Sequence, residues 1–80
     1  MANNTYIPID CNMYDVLISK ATLKKICQIV YKEEEYEKTT TAIIVDVYTK
    51  TKEEFMQLSD DAIIRLDKIV SVDGIVINKH

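Results

Sequence analysis

The thirteen residues TTTAIIVDVYTKT, Thr39 to Thr51, leave little choice of backbone. Their β-branched and aromatic side chains crowd the preceding turn of a helix but pack well on a pleated surface. A second stretch, LKKICQIVYK, Leu23 to Lys32, has the same character and alternates in part with period two. Both are predicted strands. In the longer one, Ile43, Val45 and Val47 share one face, while Ala42, Ile44, Asp46 and Tyr48 share the other. The odd-numbered face is therefore the expected core face, with Asp46 pointing outward. The charged insert KEEEYEK, Lys32 to Lys38, separates the two strands. It reads as a solvated hairpin connection, with a partner-facing acidic patch as the sharper alternative.

The next segment, KEEFMQLSDDAIIRLDKIV, Lys52 to Val70, carries two signals. Phe55, Leu58, Ala62, Leu66 and Ile69 recur at helical spacing, so periodicity alone allows a helix. Ser59, Asp60 and Asp61 form a turn-like break, however, and EEFMQL and AIIRL on either side read as the short strands of a hairpin. Beyond them, Asp73-Gly74 lies between β-branched runs, as in a tight hairpin turn. The strand reading is preferred. It gives a mainly β (α+β) domain over residues 1–80: a short N-terminal helix followed by about five antiparallel strands in a small, strongly bent sheet or partial barrel.

The helix is expected from Asp10 onward, where Cys11, Tyr14, Leu17, Ile18 and Ala21 fall at helical spacing. Asp10 is a suitable N-cap, since its carboxylate can accept the unpaired amide hydrogens of the first turn. Pro8 biases Ile7 toward an extended conformation, so Thr5 to Ile9 reads as an extended lead-in.

At 80 residues with a 48% apolar fraction, the chain is one small folded domain whose thin core disfavours a large enclosed catalytic cavity. Ten basic and thirteen acidic residues give a net charge of -3, which opposes broad attraction to phosphate backbones and suits a basic partner surface. The longest apolar run, Ala42 to Val45, is far too short to span a bilayer, and the opening residues do not resemble a signal peptide. A cytoplasmic location is expected. Cys11 and Cys27 form no CxxC pair and His80 is the one histidine, so neither a disulfide scaffold nor a zinc site is expected, and both thiols should be buried or half-buried.

No glycine-rich phosphate loop, nucleophile elbow or HExxH motif occurs, and no enzymatic activity or cofactor is expected. Asp10 and Asp15 are turned apart on a helix, so capping and exposure explain them better than a catalytic carboxylate pair. Lys20, Lys24 and Lys25 and the five tyrosines could serve RNA, yet lysines near a helix C-terminus also complement its dipole, and Tyr31 and Tyr48 would flank the sheet. A protein-binding module remains. Tyr14 and Asp15 lie side by side just past the cap, and an aromatic ring beside a carboxylate suits an interface, although on the residues alone the duller reading, Tyr14 in the core, is preferred.

The segment YIPIDCNMYDVL, Tyr6 to Leu17, resembles the YxPIxCxxYDxLE opening of the Rho-binding antiterminator family, Rof. IIRLDKIVSVDG, Ile63 to Gly74, is similar to that family's LRLDKI segment, so the resemblance covers nearly the whole chain. It implies a short helix followed by an Sm-like, highly bent antiparallel sheet, with strands over Phe55 to Ile69. It also implies a protein-binding inhibitor of transcription termination factor Rho, an antiterminator that binds the factor's N-terminal RNA-binding region and is monomeric when free. Carried over residue by residue, the partner-binding positions are Tyr14 and Asp15, with Asp10 capping the helix and touching the interface. Asn12, Met13 and Ile18 replace acidic residues of the family pattern; Glu33 to Glu35 or Asp60 and Asp61 are the candidates for restoring that charge. Sm-like sheets also form RNA-binding rings, which makes an RNA-binding ring oligomer the alternative. The usual Asp-x-apolar-Met-Asn loop and the glycine after a short arginine motif are absent.

Overall fold

In the computed structural model, which describes residues 9–78, one helix precedes a six-stranded antiparallel sheet. The helix α1, Cys11–Leu23, begins where expected: Asp10 is its N-cap, and its carboxylate accepts the Asn12 backbone N–H at 2.7 Å. It ends at Lys24, a left-handed residue (φ 54°) whose N–H donates to the Lys20 carbonyl at 3.1 Å. Of the lead-in, only Ile9 is described, and it is buried; Thr5 to Pro8 lie outside the described residues.

The face that α1 buries differs from the expected one. Leu17 is fully enclosed, with Met13, Tyr14 and Ala21 packed around it. Cys11 and Ile18 are exposed. The reason is angular: Met13 and Ala21 are one i±4 step on either side of Leu17, whereas Ile18 is rotated by about 100° from it.

The strands are β1 (Ile26–Glu33), β2 (Tyr36–Lys50), β3 (Glu53–Leu58), β4 (Ile63–Arg65), β5 (Ile69–Val72) and β6 (Ile75–Val76), in the spatial order β4-β3-β2-β1-β5-β6. A 3-10 turn, Leu66–Lys68, joins β4 to β5. The strand beyond the expected five is β6, two residues long, formed because Asp73 and Gly74 (φ 52° and 83°) turn the chain back tightly. Positive φ at both turn positions matches the twist of the flanking strands. Phe55 to Ile69 is not a helix: Phe55 pairs with Arg65, Met56 with Ile64 and Gln57 with Ile63. Of the charged insert, only Glu34 and Glu35 form the turn. Glu33 pairs with Tyr36 across it, and residues 33–38 are exposed, as a solvated hairpin requires.

The long strand β2 is shared between two partners. Its first half pairs with β1, as Cys27 with Ala42, and its second with β3, as Tyr48 with Phe55. Between them the register slips at Val45, because Ile44 opposes Leu58 but Asp46 opposes Gln57. This bulge overturns the expected core face at Ile43 and Val45 and keeps it at Val47. Ala42 and Ile44 point inward before it and Val47 after it, whereas Val45 is exposed and Ile43 half-buried. An extra residue switches the parity of the alternation and bends the strand, letting both halves cover one core. Asp46 points outward as expected.

The fully enclosed side chains of the core are Leu17, Cys27, Ile29, Ile44, Met56, Leu58, Leu66, Ile69 and Val72, and no polar side chain is buried among the described residues. No helix among them is long and apolar enough to cross a membrane.

Candidate protein-binding site

Helix α1 is fastened at both ends. At its start, the Ile9 backbone N–H donates to Glu54 Oε1 on β3 at 3.2 Å. At its end, Lys20 forms an ion pair with Asp73 at 3.0 Å. Asp73 also accepts the Gln28 backbone N–H at 2.9 Å, so the β5–β6 turn, β1 and the helix meet at one carboxylate. The Gln28 hydrogen bond and the Lys20 ammonium hold the Asp73 carboxyl below the usual aspartate range. Beneath it, burial pushes the Cys27 thiol up, and the Asp73 charge adds to the rise.

On this mount, Tyr14 and Asp15 share an open hollow of about 260 Å³ with Ile9, Cys11 and Glu54. Tyr14 is half-buried and packs against the core, so the duller sequence reading and the interface reading describe two sides of one ring. Asp15 is exposed, and its carboxylate makes no hydrogen bond or ion pair among the described residues. Two carboxylates on an apolar and aromatic floor favour a cationic group over an anionic one.

The three sequence-predicted site residues are not all gathered. Tyr14 and Asp15 line the hollow; Asp10 does not, and its carboxylate serves the helix cap. Cys11, expected to be buried or half-buried, stands exposed at the rim, because its position falls outside the Leu17 ridge. Cys27 is buried as expected. Glu54 went unpredicted; its sequence neighbours mark only a strand, and its approach to Ile9 spans 45 positions. The other acidic candidates lie elsewhere: Glu33 is paired with Lys38 at 2.7 Å, and Asp60 accepts the Ala62 N–H at 3.1 Å in the β3–β4 turn.

The basic cluster after the helix is partly committed to the fold, since Lys20 is neutralised by Asp73 and Lys24 forms the helix C-cap. Tyr48 stacks on Phe55 across the sheet with ring centroids 5.6 Å apart. Among the described residues, no group of three or more His, Cys, Asp or Glu side chains is arranged to hold a metal ion. Comparison of the chain with family models, curated proteins and solved structures gives no match.

Proposed function

We propose that this chain is a protein-binding inhibitor of transcription termination factor Rho, occupying the factor's RNA-binding N-terminal region and acting as an antiterminator. The proposal starts from the resemblance of Tyr6 to Leu17 and Ile63 to Gly74 to the Rof family. The observation that carries it is the exposed Asp15 carboxylate, without a partner among the described residues, beside the half-buried Tyr14 ring, on a helix fastened at both ends. A groove built for RNA offers cations and stacking surfaces, and a firmly mounted carboxylate beside an aromatic ring competes for both. Glu54 adds a second negative charge at the same hollow, offsetting the loss of acidic side chains at Asn12, Met13 and Ile18.

Titration of the protein into purified Rho and labelled single-stranded RNA tests the proposal. Displacement of RNA that weakens as salt rises is expected, because exposed charges are screened over about 10 Å at 0.1 M salt. Asp15→Lys is expected to weaken capture by about ten-fold with an unchanged melting temperature, a rim-charge effect on association. Absence of Rho binding at low salt refutes the proposal. Retention of RNA by the isolated domain, with a ring-sized species on a sizing column, would support the RNA-binding alternative instead.

A further inference from the structure

The sheet bends β4 round toward β1 without closing. Among the described residues β4 pairs with β3 alone, and β1 loses its β5 partner beyond Tyr31, where the chain departs through the Leu66–Lys68 turn. The Leu58 N–H bonds the Ala62 carbonyl. Strict alternation from that pair turns Ile64 toward β3 and the N–H and C=O of Ile63 to the open side. On β1, the Asp73 N–H bonds the Gln28 carbonyl and Val30 pairs with Ser71, so β5 covers that side of β1 as far as Tyr31, and only Lys32 and Glu33 run past it. Among the described residues the outer edge of β4 is thus unpaired, and with the end of β1 it flanks one open slot of about 430 Å³, whose lining includes Tyr31, Lys32, Ile63 and Lys68.

The slot is cationic although the chain is acidic. Lys32 and Lys68 form no ion pair among the described residues, while Glu33 is compensated by Lys38. Arg65, also at the slot, is held by Asp67 at 2.8 Å and Glu53 at 3.5 Å. Ile63 stands 55% exposed on the edge strand. An open edge of this kind is a template for another strand.

We propose that this slot takes an extended acidic segment of a partner protein, which adds as a strand along Ile63 and sets its carboxylates against Lys32 and Lys68. Strand addition supplies affinity through the main chain, while alternate side chains supply specificity. The two uncompensated ammonium groups select an acidic segment. A polynucleotide would answer those charges but leave the Ile63 side chain and the outward amide edge of β4 unmatched. The slot shares no lining residue with the hollow beneath Tyr14, so this second surface goes beyond the proposed Rho contact.

The test is a heteronuclear NMR titration of the isotope-labelled protein with a blocked hexapeptide alternating valine and glutamate. Amide shifts at Lys32 and Ile63 are expected. Lys32→Gln with Lys68→Gln should weaken binding by about ten-fold while the circular dichroism spectrum stays unchanged. N-methylation of alternate peptide amides should abolish binding. The proposal is overturned if the methylated peptide binds equally well, if the shifts fall elsewhere, or if no shift appears at millimolar peptide. It is equally overturned if oligouridylate takes these residues more tightly than the peptide, or if sizing shows a second copy of the chain in the slot.

Discussion

Lys20 Nζ lies 3.0 Å from Asp73 Oδ2, joining the last turn of α1 to the β5–β6 turn. Because Asp73 also accepts the Gln28 N–H, the contact fixes the direction in which the helix crosses the sheet. The Asp73 carboxyl is held below its ordinary range. Its contribution to stability is therefore present above the unfolded-state value of about pH 4 and is lost as pH falls through the lower folded-state value. Melting curves of the wild type and Asp73→Asn should differ at neutral pH and converge as the solution is acidified below about pH 4. A constant gap between them down to strong acid would show that the charge is immaterial.

The buried face of α1 can be checked with two neighbouring truncations. Leu17→Ala removes a fully enclosed side chain and should cost about 2–5 kcal/mol, a large part of the stability of a domain this small. Ile18→Ala, at a position 38% exposed, should cost less than about 1 kcal/mol. Urea unfolding of both variants reads the contrast, and equal losses would contradict the observed orientation of the helix.

The β2–β3 turn is formed by Thr51 and Lys52, both at positive φ (53° and 66°). A β-branched residue is poorly suited to that region, whereas asparagine followed by glycine is the favoured pair for such a turn. The double change Thr51→Asn with Lys52→Gly should therefore stabilise the fold by about 1–2 kcal/mol. On a domain of this size each kcal/mol raises the melting temperature by about 4–8 °C. Calorimetry of the variant measures it; a fall would mean that the turn takes another shape in solution.

The two cysteines should separate by reactivity. Cys11 is exposed and Cys27 is buried, with a thiol pushed up by burial and by Asp73. A disulfide-exchange reagent should therefore modify one thiol promptly in the native protein and the second only on unfolding. Mass spectrometry of the digested adduct assigns the sites, and prompt modification of Cys27 would contradict its enclosure.

Much of the architecture was legible because local chemistry agreed with global structure. Asp10 caps the helix, Asp73-Gly74 turns the final hairpin, and the strands follow the β-branched runs. What escaped the sequence depended on contacts between distant residues. The Val45 bulge carries no glycine to announce it, so strict alternation placed Val47 correctly in the core but assigned the wrong face of β2 ahead of the bulge. The Thr51-Lys52 turn likewise lacks the usual residues. At the candidate site, neighbouring positions suggested Tyr14 with Asp15, but Glu54 joined them through a fold no spacing rule describes. The exposure of Cys11 followed from which ridge of α1 met the sheet.

β2 pairs with β1 through one half and with β3 through the other. Both pairings join neighbours in the sequence through two-residue turns, so their loop-closure entropy is small. The β1–β5 pairing, by contrast, must bring Ile29 to Val72 across most of the domain. Contact order therefore favours an order of assembly in which the three-stranded meander centred on β2 forms first, and the distant closures that dock β5 and α1 follow.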